Sequence, residues 1–264
     1  MKIFPTFLIS FLFLLTACGE SENLNIDNGE FVDDEYNPSS QEMSFEQLIY
    51  DIDQNDSLRL GHSLAYSRED GASMEVTIYV NAKNETVKLV EQYVNANSPS
   101  ISSNVFHFKS GAIISSKELF EEGEGEDGYF VERITYYNIK EEPIITKRKT
   151  APYEDQLDNE VHEVVEKHKC YYDKAMRALE RKGEFSVTFQ GFVKEEPYLY
   201  LIVGENTKNG YYSPLVVQYM TPLIKKLQED EVGMLGTPLS IDFDQLSGAE
   251  GYEYQILLSA SIRK

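Results

Sequence analysis

The chain of 264 residues carries 45 Asp and Glu against 24 Lys and Arg, a formal charge of −21 at pH 7. A field of that sign repels phosphate backbones and anionic headgroups, which excludes nucleic acid as a partner. The length suits one large or two ordinary domains, and eighteen Tyr and fourteen Phe with no Trp suit β-sheet faces, where aromatic cross-strand pairs pack well.

Met1 and Lys2 precede residues 3–15, which are apolar apart from Pro5, Thr6 and Ser10. This is the charged-then-hydrophobic pattern of a secretory signal, shorter than the roughly 20 apolar residues that a membrane span needs. The run stops at Cys18 and passes into acidic sequence with no basic flank, so residues 1–17 are expected to be cleaved.

The sequence Leu15-Thr16-Ala17-Cys18 resembles the lipobox of bacterial lipoproteins. The resemblance covers the first eighteen residues. It implies that the Cys18 thiol takes a diacylglycerol, that the signal is removed before it, and that the new α-amine is acylated. Two or three acyl chains, at ~0.8 kcal/mol per buried CH₂, anchor a protein to a membrane stably. Gly19, not Asp, follows the cysteine, which resembles the outer-membrane-sorted kind, and Glu20 and Glu22 resemble surface-export signals of some Bacteroidetes-type lipoproteins. The periplasmic and surface faces both stay open. With Cys18 acylated, Cys170 has no partner for an intramolecular disulfide.

Residues 18–42 read as the lipidated cysteine and a disordered acidic tether, since no basic residue occurs between Lys2 and Arg59 and little apolar surface is available to order the segment. An acidic recognition tail is the functional alternative. Residues 43–153 read as a short helix followed by an antiparallel meander. Ser44-Phe45-Glu46-Gln47 fits a capping box, with Met43 and Leu48 as its staple, and the helix runs to about Asp53. Asp51, Asp53 and Asn55 mimic the opening of a calcium loop, but Asp56 and His62 stand where Gly and Glu are required.

Three strand-turn-strand units then recur. Val76, Val105 and Ile134 are 29 residues apart at each step, as are Tyr79, Phe108 and Tyr137. A fixed period of this kind marks supersecondary units that bury their faces against neighbours. The aromatic-turn-Ile-Ile pattern looks like the repeated hairpins of uncharacterised lipoproteins in Bacteroidetes-type bacteria, a likeness over about a third of the chain that implies no activity. The Gly-Glu-Asp loop at 121–128 reads as a solvated hairpin tip, with a cation site as its functional alternative.

Residues 154–183 predict one long amphipathic helix. Val161, Val164, Val165, His168, Tyr172, Ala175, Met176 and Leu179 share one face at helical spacing, and Gly183 sits at the cap. His162-Glu163-Val164-Val165-Glu166 invites comparison with a zinc-protease helix, which needs His at i and i+4. The fourth residue on is Glu166, so a metal-dependent hydrolase on His162 and Glu166 lacks a third ligand. Cys170 falls opposite the apolar face, without an identifiable base or oxyanion donors.

Residues 184–264 predict five strands, with a helix at 222–229 between the third and fourth. This is the element order of an OB-like small barrel, and Gly236-Thr237-Pro238-Leu239 suits the start of its fourth strand. Tyr198, Tyr200, Tyr211 and Tyr212 lie on or beside the second and third strands, which in such barrels bind oligonucleotides or oligosaccharides. The acidic charge removes the first option and leaves glycan or peptide.

The chain carries no nucleophile elbow, phosphate loop or dinucleotide fingerprint. The expectation is therefore a mainly β, non-enzymatic envelope lipoprotein without cofactor or metal. It is held to the outer membrane through acyl chains on Cys18 and contacts an envelope protein or a glycan, the latter through the barrel tyrosines.

Overall fold

The computed structural model describes residues 38–96, 100–123, 128–247 and 253–263. Cys18, its signal and most of the tether lie outside the described residues, as do 124–127 of the Gly-Glu-Asp loop.

The elements run in the order α1 (Pro38–Asp53), β1 (Arg59–His62), β2 (Tyr66–Ser67), β3 (Ser73–Val80), β4 (Thr86–Val94), β5 (Ile101–Lys109), β6 (Ala112–Glu122), β7 (Tyr129–Tyr137), β8 (Pro143–Ala151) and β9 (Glu163–Val165). They continue with α2 (Asp173–Glu180), β10 (Thr188–Glu195), β11 (Tyr198–Gly204), β12 (Tyr212–Val217), α3 (Pro222–Glu229), α4 (Glu231–Met234), β13 (Leu239–Ser247) and β14 (Glu253–Ile262). The fold is mainly β, and the strands belong to one large mixed sheet that does not close.

From β3 to β9 each strand pairs antiparallel with the next. The turns follow from their residues. Asn81 Oδ1 accepts from the amides of Lys83 and Glu85 with Asn84 at φ 64°, and Asn138 Oδ1 accepts from Lys140 and Glu142 with Glu141 at φ 59°. The middle turn uses Ser110 and Gly111, both at positive φ, the conformation that a two-residue hairpin demands. Tyr79, Phe108 and Tyr137 each stand beside a register shift just before these turns, so the 29-residue period marks equivalent bulges.

One face of this sheet carries Met74, Val76, Leu89, Phe106 and Phe108 into a buried cluster that also takes Ala175 and Ala178 of α2 and Phe185, Leu201, Leu215, Ile224 and Leu239. Across the same face runs a polar row, Glu91–Asn104–Glu118–Arg133–Arg148, each residue opposite the next. Asn104 donates to the Glu91 carboxylate at 2.9 Å, and Arg133 reaches Glu118 at 3.4 Å. On the other face α1 lays Phe45, Leu48 and Ile49 over Ile114, Tyr136 and Ile145. The helix starts at Pro38, upstream of Ser44, so Ser44 is interior and not a cap.

The long helix over 154–183 does not form. Residues Glu154–Asn159 make a 3-10 turn, Glu163–Val165 make β9, and a helix is confined to Asp173–Glu180. Val164 and Val165 pair instead with Lys147 and Thr146 of β8. Their β-branched side chains favour the extended state, and the open edge of β8 offers backbone partners that a helix would leave unused. Val161 is consequently 82% exposed and Val164 68%. The later half of the expected stripe survives, with Tyr172, Ala175, Met176 and Leu179 on the core.

Among the last strands, β10–β11 and β11–β12 are antiparallel, β12–β14 is parallel and β13–β14 is antiparallel. Thr188 bridges to Pro238. Thr221 caps α3 through Ile224 N at 3.3 Å with Pro222 as the first helical residue, a sequence-local start signal.

Candidate functional site

The site begins at a fork in the sheet. One edge of β12 is shared by two strands: Tyr212 pairs with Ser67 of β2, whereas Val216 and Val217 pair with Ile256 and Leu257 of β14. Pro214 sits between the two contacts, and its lack of an N–H leaves no backbone donor orphaned where the neighbours part. The buried Gln255 side chain fills the gap in pairing. Its Oε1 accepts from Ala65 N at 2.9 Å and its Nε2 donates to Ser213 Oγ at 2.8 Å. Gln245 on β13 donates to Glu75 on β3, a second tie across the fork.

Glu75, Pro214, Gln245 and Gln255 line a cleft of about 340 Å³ together with Tyr200 and Tyr254. Tyr198, 50% exposed, continues the aromatic surface outward, its ring 6.2 Å from that of Tyr200 and inclined at 62°. The four tyrosines singled out by sequence therefore separate. Tyr198 and Tyr200 come together, but Tyr211 is 8% exposed and stacked on Phe185 at 4.8 Å within the core. Tyr212 lies where β12 meets β2 and β11, outside the cleft lining. Sequence reasoning missed Tyr254, because its proximity to Tyr200 depends on the non-local parallel pairing of β12 with β14.

His162 and Glu166 are not on a helix: His162 Nε2 lies 3.1 Å from the Glu132 carboxylate, and Glu166 is exposed beyond β9. Asp51 accepts from Gln47, Asp53 is held by Lys88 and His107, and Asn55 turns back on Ser57, so the calcium-loop residues point to separate partners. Among the described residues no three His, Cys, Asp or Glu side chains are grouped to hold a metal.

Cys170 is buried within the core cluster rather than set opposite the apolar face. Burial first, then the Glu118 and Glu91 carboxylates, push its thiol far up, the opposite of what a nucleophilic cysteine requires.

Sequence inspection also missed a relay of Asp53, His107 and Ser115. The His107 ring lies 3.2 Å from the Asp53 carboxylate on one side and 3.2 Å from Ser115 Oγ on the other. The resemblance to a hydrolytic triad ends at access, because Ser115 is 2% exposed and a nucleophile must meet its substrate. Asp53 also binds Lys88 at 2.5 Å. The relay fastens the last turn of α1 to β4, β5 and β6, and burial, outweighing Asp53, holds the His107 ring below the usual histidine range.

Comparison with protein-family models, curated proteins and solved structures gave no match. The chemistry of the fork thus rests on its own side chains: two tyrosine walls, amide and hydroxyl groups from Gln245, Gln255 and Ser67, and, as the one carboxylate among the described lining residues, Glu75.

Proposed function

We propose that this chain is a lipid-anchored envelope protein acting without catalysis as an interaction module, with the fork as its contact site and a neutral glycan as the group contacted. The lipobox-like Leu15-Thr16-Ala17-Cys18 supports the anchor and an outer-membrane address. The successive antiparallel pairings of β3 to β9 support a meander of repeated hairpins. The order β10-β11-β12-β14-β13, with β12 and β14 parallel and Thr188 bridged to Pro238, supports an OB-like module beside it.

The observation that carries the ligand reading is the concavity between Tyr200 and Tyr254. At about 340 Å³ it has the size of a small-ligand site, whereas a stable protein interface covers roughly 800 Å² per partner. Aromatic walls with a few fixed amides and hydroxyls suit sugar rings, whose C–H faces are apolar and whose edges exchange hydrogen bonds.

Two measurements test the proposal. Tyr200→Ala with Tyr254→Ala, in detergent-solubilised full-length protein, is expected to weaken binding of neutral oligosaccharides in titration calorimetry by about tenfold or more with the thermal midpoint little changed. Undiminished binding would remove the site. Cys18→Ser is expected to abolish acyl labelling and release the protein from the membrane fraction, and persistent label would disprove the anchor.

A further inference from the structure

The fork cleft is one half of a longer depression. On the far side of β2 lies a second cleft of about 210 Å³, bounded at its end by Gln92 and Val94 of β4 and Ile101 of β5. Ala65, Ser67 and Glu75 line both clefts. These three residues form the divide: Glu75 of β3, held by Gln245, stands in it, and beside it Ala65 and Ser67 are small, with Ser67 facing another small side chain, Ser73, across the β2–β3 pair. The wall between the clefts is therefore low on either side of the Glu75 carboxylate.

We infer that the protein binds a linear, neutral oligosaccharide that crosses β2, with Tyr200 and Tyr254 holding one end, Glu75 at the midpoint and Gln92 with Ile101 beneath the other. This rests on the fork being the contact site. The strands crossed are β11, β12, β2, β3, β4 and β5 in order, and neighbours spaced 4.7–4.9 Å apart give a track of roughly 24 Å, longer than a single sugar ring.

The chemistry of the track selects among polymers. Glu75 is the one charged side chain among the described residues that line the two clefts. With no cation among those residues, a sulfated, uronic or phosphodiester chain has nothing there to neutralise it. A peptide added as an extra strand needs an open sheet edge, but this track runs across strands whose backbone groups are already paired to one another. What remains is side-chain recognition by hydroxyl, amide and aromatic groups. The track is also fixed in advance: Gln255 ties the segment before β2 to β12, and Gln245 ties Glu75 to β13, which lowers the ordering cost of binding.

The test uses detergent-solubilised full-length protein and titration calorimetry with two-unit and six-unit members of four series: β-1,4-glucose, β-1,4-N-acetylglucosamine, α-1,4-glucose and β-1,4-xylose. In at least one series the six-unit sugar is expected to bind about tenfold more tightly than the two-unit sugar. Gln92→Ala with Ile101→Ala, both at exposed positions, is expected to remove most of that advantage and leave two-unit binding unchanged. Equal affinity for both lengths, or a length advantage untouched by the double variant, overturns the extended track while the fork itself stands. Absence of binding by every series removes both.

Discussion

Alanine at position 204 is expected to destabilise the protein by about 3 kcal/mol or more, because overpacking that meets backbone has no rotamer to escape into. Gly204 ends β11, and a Cβ there would lie 2.2 Å from the Tyr211 carbonyl oxygen and 2.7 Å from the Tyr212 Cα. Relief requires β11 and β12 to separate, which opens the pairs Gly204–Tyr212 and Val203–Ser213. It also draws Tyr211 away from Phe185 and Tyr66, against which its ring packs. Total stabilities of domains are typically 5–15 kcal/mol, so a shift of this size is readily measured by urea unfolding. Gly71→Ala is the control: Gly71 has φ 83° but nothing within 4 Å of a new Cβ, so only left-handed backbone strain of about 1 kcal/mol is expected. Equal effects at the two sites would refute the steric account.

The difference between these glycines bears on what could be read in advance. Local features were legible. The hairpins of β3 to β8 announced themselves through the 29-residue period of Val76, Val105 and Ile134 and of Tyr79, Phe108 and Tyr137, and α3 fills the 222–229 span expected of it. Features made by distant partners were not. Val161 and Val164 satisfy helical spacing as well as they satisfy a strand, and the decision fell to the edge of β8, whose Thr146 and Lys147 supply the pairing.

The candidate site shows the same division. Strand β2 has two residues, too few for any periodic signal, yet it sets the position of the fork. Gln255 reads as an ordinary polar residue in an alternating strand until Ala65, far away in sequence, is seen to donate to it. Tyr211 and Tyr212 are neighbours with opposite fates, one in the core and one at the sheet junction, because adjacent strand residues point to opposite faces. Composition alone does not reveal which of the two is inward.

Buried charge was equally hidden, and it carries the second large expected effect. Glu132 on β7 is 6% exposed, with Lys117 Nζ at 2.6 Å, Lys149 Nζ at 3.1 Å and His162 Nε2 at 3.1 Å. Burial raises the carboxyl, but hydrogen bonds and charge from Lys117 and Lys149 outweigh it and hold the group below the usual glutamate range. Glu132→Leu strands the Lys149 ammonium, whose side chain is only 9% exposed, and removal of one partner from a buried pair costs about 3 kcal/mol. Lys149→Met added to that variant is expected to restore much of the loss, because an apolar pair of similar volume needs no counter-charge.

The pH dependence has a defined sign. A depressed folded-state carboxyl contributes stability above the ordinary glutamate range and loses it as pH falls through the folded value. The gap between wild type and Glu132→Leu in urea unfolding is therefore expected to be full at pH 7 and to narrow below pH ~4. His162 and His107, both held low first by burial, add a separate decline in stability as pH falls through the ordinary histidine range, because the unfolded chain takes up those protons first. His107 contributes that decline in both proteins. A gap that stays constant from neutral to acid pH would show that Glu132 acts through packing and not through its charge.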